Sequence, residues 1–104
     1  MLLHGWLDNA HSFLPLAASF LASEVADTEA ILAIDWAGHG HSDHRPAGSH
    51  YHFIDYVYDL WALIEQQQWG AVNILAHSMG AFIANMLAGI DPDKVARLYA
   101  VEAF

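Results

Sequence analysis

A chain of 104 residues has room for one domain, and with 56% hydrophobic residues and a mean hydropathy of +0.26 it can bury a core rather than stay disordered. Twelve acidic against three basic residues leave a formal charge of −9 and no basic stripe, which argues against nucleic acid and anionic membrane surfaces as partners. Cysteine is absent, so disulfide and thiolate chemistry are excluded; no apolar run reaches the roughly 20 residues of a membrane span, and no cationic signal-peptide start follows Met1. The expected setting is the cytoplasm.

Met1-Leu2-Leu3 reads as the end of an apolar strand running into His4-Gly5. Residues 13–22 (FLPLAASFLA) predict a short helix, with Pro15 in its first turn and Ser12 as its cap. Residues 30–35 (AILAID), 71–76 (AVNILA) and 96–101 (ARLYAV) are brief apolar runs, as expected of strands buried on both faces of a parallel sheet. Between them, 52–68 places Phe53, Val57, Leu60 and Ile64 at helical spacing, which predicts one amphipathic helix. Residues 79–90 are apolar almost all round, and Gly80, Ala84 and Ala88 form a stripe of small residues that lets a helix lie close on a sheet. That helix should stop before Asp91-Pro92, because a residue preceding proline avoids the α region. The alternation predicts an α/β fold: a mostly parallel sheet of about four strands with helices on both faces. Both chain ends read as cut, with 101–104 stopping as a strand or its following loop begins; a sheet ending there exposes edges and favours self-association.

Two stretches carry chemistry. Asp35-Trp-Ala-Gly-His-Gly-His-Ser-Asp-His44 places His39, His41, Asp43 and His44 in the spacing H-x-H-x-D-H, similar to a zinc signature of metallo-β-lactamase-type hydrolases, and the same letters fit the turn pattern D-x-x-G-x-G-x-S. Leu75-Ala-His-Ser-Met-Gly80 falls at a strand-to-helix junction and approximates G-x-S-x-G, in which a serine sits on a sharp turn flanked by small residues. Ala76 departs from the first glycine of that pattern by one methyl group. Ser78 there is either a nucleophile or an ordinary helix N-cap.

Taken in order, Leu3-His-Gly-Trp6, Asp8-Asn9, Ser12-Phe13, Asp35…Gly38-His-Gly-His-Ser42 and His77-Ser-Met-Gly80 resemble the N-terminal half of an α/β-hydrolase of the serine hydrolase-like branch. The resemblance covers nearly the whole chain and implies a single, partial α/β-hydrolase core over residues 1–104. It further implies that Ser78 is the nucleophile and that the backbone N–H groups of Trp6 and Met79 form the oxyanion hole. His4-Gly5 would shape the loop that aims the Trp6 amide. The Trp6 side chain with Asp8-Asn9 either lines the pocket mouth or is ordinary loop packing. Gly38 and Gly40 would supply special backbone conformations, Asp35 and Ser42 would tie the turn, and the histidines would be loop residues rather than ligands.

A serine nucleophile needs a histidine base and an orienting carboxylate, which follow the serine in this fold. No histidine follows Ser78 in these 104 residues. His77 reads as structural, its side chain turned away from Ser78. Glu102, just after the last strand, is either the catalytic acid or a solvated glutamate, and Asp91 and Asp93 read as solvated turn residues. Three readings stand: a serine hydrolase of small-molecule esters or related acyl substrates, needing no cofactor or metal and here a fragment with little activity alone; a non-catalytic binding module of the same fold; and a metal-dependent hydrolase using the 39–44 cluster.

Overall fold

Four parallel strands make the sheet: β1 (Leu2–Leu3), β2 (Ala33–Ile34), β3 (Val72–His77) and β4 (Val95–Val101), in the order β2-β1-β3-β4. They belong to a computed structural model that describes residues 1–23 and 30–102. The chain steps from β1 outward to β2 and then crosses back to β3 on the other side of β1. Strand order therefore reverses at β1, and in open parallel sheets the crevice outside the carboxyl ends at such a reversal is where ligands bind.

Among the described residues, three α-helices flank the sheet: α1 (Leu14–Leu21), α2 (Phe53–Gln67) and α3 (Met79–Ile90). The core joins Leu3, Ile74 and Ala76 of the sheet to Tyr56, Val57, Leu60 and Ile64 of α2 and Ala81, Ile83, Ala84 and Leu87 of α3. Helix α3 starts and stops as its sequence predicts, and Gly80 and Ala84 of the small-residue stripe are buried. In α2 the buried face begins one turn later than expected: Phe53 is half-exposed and packs its ring on Phe82, at 5.3 Å between centroids.

Three expectations are corrected. The expected strand over 30–35 shrinks to two paired residues, Ala33–Ile34, with one further ladder bond from Leu2 N–H to the Leu32 carbonyl (2.8 Å), while Met1 extends the pairing of β1 with β3, its carbonyl accepting from Leu75 N–H (2.9 Å). Ser12 does not cap α1; its hydroxyl donates to the Asp8 carboxylate, and a 3-10 turn at Ala10–Phe13 precedes the helix, with the Asn9 side chain accepting from His11 N–H (3.0 Å). Strands β3 and β4 are not buried on both faces. Leu2, Leu75 and Tyr99 are in register on the face away from α2 and α3, where, among the described residues, only α1 lies, and α1 buries none of its residues. A groove of about 400 Å³ runs there between Leu16 and Phe20 of α1 and Leu2, Leu75 and Tyr99 of the sheet. Residues 103 and 104 of the expected C-terminal strand or loop lie outside the described residues. No helix among the described residues is long and apolar enough to cross a membrane.

Candidate active site

The carboxyl ends of β1 and β3 meet at Gly5 and Ser78. Ser78 leaves β3 with φ 51° and ψ −115°, a backbone conformation that costs a non-glycine residue on the order of 1–3 kcal/mol and persists only where its surroundings impose it. They do so from both sides: Ser78 N–H donates to the Val101 carbonyl of β4 (3.0 Å), and the Ser78 carbonyl accepts from Phe82 N–H in the first turn of α3 (3.0 Å). Ser78 holds the N-cap position of α3, yet its hydroxyl makes no capping bond. The helix-cap explanation for this serine therefore fails.

Small residues are required around it for stated reasons. A Cβ on Gly80 would lie 2.6 Å from the Leu3 carbonyl oxygen and 2.7 Å from that of His4, so only glycine lets the start of α3 rest against the end of β1. A Cβ on Gly5 would stand 3.3 Å from Ser78 Cβ and 3.2 Å from His77 Nδ1. The backbone of the β1 loop thus runs beside the serine, and Ala76, at the first position of the motif, is fully buried.

The loop after β1 is held by His4, which has no solvent exposure. Its Nδ1 lies 2.7 Å from the Gly5 carbonyl, its Nε2 accepts from Trp36 N–H (3.2 Å), and its own carbonyl accepts from the Trp36 indole Nε1–H (2.9 Å). Burial lowers the His4 pKa from its ordinary value near 6.5, opposed by its bond to Gly5 and helped by the neighbouring His39 ring. Asp8 N–H also donates to the Gly5 carbonyl (3.3 Å), and the Asp8 carboxylate accepts from Ser12 Oγ and Asn9 N–H, which together hold its pKa below the usual carboxylate range. Among the described residues, neither Trp6 N–H nor Met79 N–H has a partner. The Trp6 ring is half-exposed and sets its edge against His39, at 5.2 Å between centroids.

The 35–44 loop is a turn tied by Asp35. That carboxylate accepts from Ala10 N–H (2.7 Å) and His41 N–H (2.9 Å), bonds that lower its pKa, and Ser42 Oγ donates to the Asp35 carbonyl (2.6 Å). Gly38 and Gly40 have φ of 76° and 51°, and a Cβ on Gly40 would collide with the Asp35 carboxylate. The histidines diverge: His39 packs inward beside His4 and Tyr56, His41 faces His11, and His44 lies 3.5 Å from the Tyr51 hydroxyl. No three His, Cys, Asp or Glu side chains among the described residues are grouped to hold a metal ion.

One further sequence expectation changes. Asp91 is not merely solvated, since its carboxylate accepts from Trp61 Nε1–H (2.8 Å) and lies 3.6 Å from Lys94 Nζ. His77 Nε2 lies 3.0 Å from Glu102 Oε2, a contact in keeping with a structural role, and Glu102 itself has φ 51°. The two strained residues Ser78 and Glu102 thus end adjacent strands side by side. Nothing in the sequence marks Trp36 as the partner of His4; its only signal is an aromatic residue directly after a strand.

A parallel sheet with its order reversal at β1, an uncapped serine on the turn from β3 to α3 and a glycine-bearing loop beside it define an α/β-hydrolase. The chain belongs to that family: the model of the alpha/beta hydrolase fold matches residues 1–104. A serine hydrolase-like protein of Dictyostelium discoideum is 39% identical over 101 residues, covering 96% of this chain and 27% of that one. A crystal structure of a hypothetical protein from Pseudomonas aeruginosa superposes with a TM-score of 0.82 at 44% identity, covering 99% of this chain and 34% of the other. The thioesterase domain of the curacin biosynthetic pathway does so with a TM-score of 0.78 at 27% identity, covering 98% and 36%. The chain spans less than half the length of the curated relatives it matches.

Proposed function

We propose that these residues supply the nucleophile and oxyanion hole of a serine hydrolase acting on esters, thioesters or related acyl compounds of small-molecule size. The observation that carries the reading is the Ser78 backbone at φ 51° with an uncapped hydroxyl, next to two backbone amides without partners. In the reaction, Ser78 Oγ attacks the substrate carbonyl, losing its proton to a histidine base as the tetrahedral intermediate forms. The N–H groups of Trp6 and Met79 receive the oxyanion, and collapse expels the alcohol or thiol and leaves an acyl-Ser78 ester that water then hydrolyses. Glu102, held by His77 beside the serine, is the candidate for the carboxylate that orients the base. The names of the serine hydrolase-like relatives and the thioesterase domain agree with acyl chemistry.

The test is covalent labelling of Ser78 by a fluorophosphonate in the gene product that carries this sequence, with Ser78→Ala as control. Label on Ser78 that disappears in the variant is expected. Label that survives the substitution refutes the nucleophile, and a folded protein that takes no label at Ser78 leaves the non-catalytic binding module as the better reading.

A further inference from the structure

His11 and His41 meet across the gap between two turns, with ring centres 6.1 Å apart and ring planes at 63°. We propose that this pair is a two-imidazole site for a divalent late transition-metal ion, copper(II) foremost, and that the ion clasps the turn before α1 to the turn at 35–44. The ion so held takes no part in the serine chemistry.

The two histidines are 30 positions apart in sequence, and one carboxylate brings them together. Asp35 Oδ1 accepts from Ala10 N–H (2.7 Å), directly before His11, and Asp35 Oδ2 accepts from His41 N–H (2.9 Å). His11 N–H is fixed in turn by the Asn9 side-chain oxygen (3.0 Å), and Ser42, next to His41, donates from Oγ to the Asp35 carbonyl (2.6 Å). Both main chains are therefore set before any ion arrives. Only the side-chain torsions remain to be fixed on binding.

A metal–nitrogen bond of about 2.0–2.1 Å, with the ring centre roughly 1 Å beyond the nitrogen, lets two imidazoles on one ion hold their centres about 4.5–6.5 Å apart, according to the angle at the metal. The 6.1 Å of this pair falls inside that span. Both side chains are exposed, and among the described residues no hydrogen bond engages either ring, so their nitrogens can turn to an ion. The surrounding charge favours a cation: the Asp35 carboxylate beside His41 is kept ionised by its two N–H bonds, and the chain as a whole carries −9. Imidazole selects copper, zinc and nickel over magnesium and calcium, and copper(II) heads the divalent affinity order.

With no third His, Cys, Asp or Glu among the described residues joining the pair, water completes the coordination and the ion exchanges. Such a clasp strengthens the fold rather than creating it. It holds a weakly packed segment, because α1, which follows the Ala10–Phe13 turn, buries none of its residues. His50 and His52 also have ring centres 5.6 Å apart, but they lie two positions apart on one exposed stretch, and among the described residues no single group pins both backbones. They serve as the internal control.

The test is a Cu2+ titration of the gene product that carries this sequence, read by electron paramagnetic resonance and by urea unfolding. The variants are His11→Asn, His41→Asn and the double replacement of His50 and His52 by Asn, all at exposed positions that leave the core untouched. Wild type should show a copper site with two imidazole nitrogens and a resistance to urea that a chelator removes. His11→Asn and His41→Asn should each weaken that site by at least about 10–100-fold, the loss incurred when even an outer partner of a metal ligand is removed. The double variant should bind as wild type does. A site that retains its affinity in either single variant overturns the proposal, as does a spectrum with one imidazole, or a site lost only when His50 and His52 are replaced.

Discussion

Gly80→Ala is the perturbation whose effect the structure states most directly. The added Cβ would begin 2.6 Å from the Leu3 carbonyl oxygen, so restoring an ordinary contact near 3.4 Å moves the start of α3 about 0.8 Å away from β1. Both neighbours are backbone and cannot rotate aside, and such overpacking costs typically about 1–3 kcal/mol. Gly89→Ala is the internal control, because it lies in the same helix and a Cβ there meets nothing within 4 Å. Any gain of up to about 1 kcal/mol from replacing glycine in a helix is common to both sites, so the difference between the two variants isolates the clash. Urea unfolding should find Gly89→Ala more stable than wild type by about 0.5–1 kcal/mol and Gly80→Ala below Gly89→Ala by about 1–3 kcal/mol. The same 0.8 Å shift carries Ser78 and the Met79 amide with it, and misplacement on the scale of 1 Å costs about 10²-fold in rate, so fluorophosphonate labelling of Gly80→Ala should slow by that order. Equal stabilities for the two variants, or unchanged labelling in Gly80→Ala, would show that the packing of α3 on β1 does not position the serine.

Replacing His39, His41 and His44 together by Asn should leave hydrolysis within about tenfold, roughly 1.4 kcal/mol of barrier, and loss of several powers of ten reversed by added zinc would restore the metal reading. Acid should destabilise the fold through His4: its folded pKa lies below the ordinary 6.5, so the unfolded chain takes the proton first. The contribution of the neutral ring is thus complete above pH 6.5 and is lost as pH falls from there through the lowered folded value. Urea titrations across pH 4–8 should show this slope in wild type and lose it in His4→Asn. Asp35→Asn keeps one carbonyl oxygen for two backbone donors and should cost about 1–3 kcal/mol, read in the same unfolding assay. Because Leu16, Phe20 and Tyr99 are exposed around the α1 groove, the purified chain should self-associate, and a monomer by size-exclusion chromatography with light scattering at high concentration would count against this.

What the sequence alone determined lies in its local patterns. Helix α3 and strand β3 are legible because their apolar runs are long, stop before Asp91-Pro92, and join at a serine with a small residue two positions to either side. The turn at 35–44 is legible because Gly38 and Gly40 announce backbone conformations that other residues avoid. Strand β2 pairs over two residues although its apolar run spans six, since an apolar run does not tell how far its neighbour in the sheet will follow it. Tertiary structure decided the rest. Whether Ser78 is a cap or stands free depends on the carbonyl of Val101, more than twenty positions along the chain. The buried His4 ring meets its partner Trp36 only because the sheet brings the ends of β1 and β2 together across 32 positions of chain. The partners of His77 and Asp91 are likewise distant in sequence. Propensity and periodicity act over a few residues, while the direction of a hydrogen bond is set by whichever group the packed sheet and helices bring to meet it.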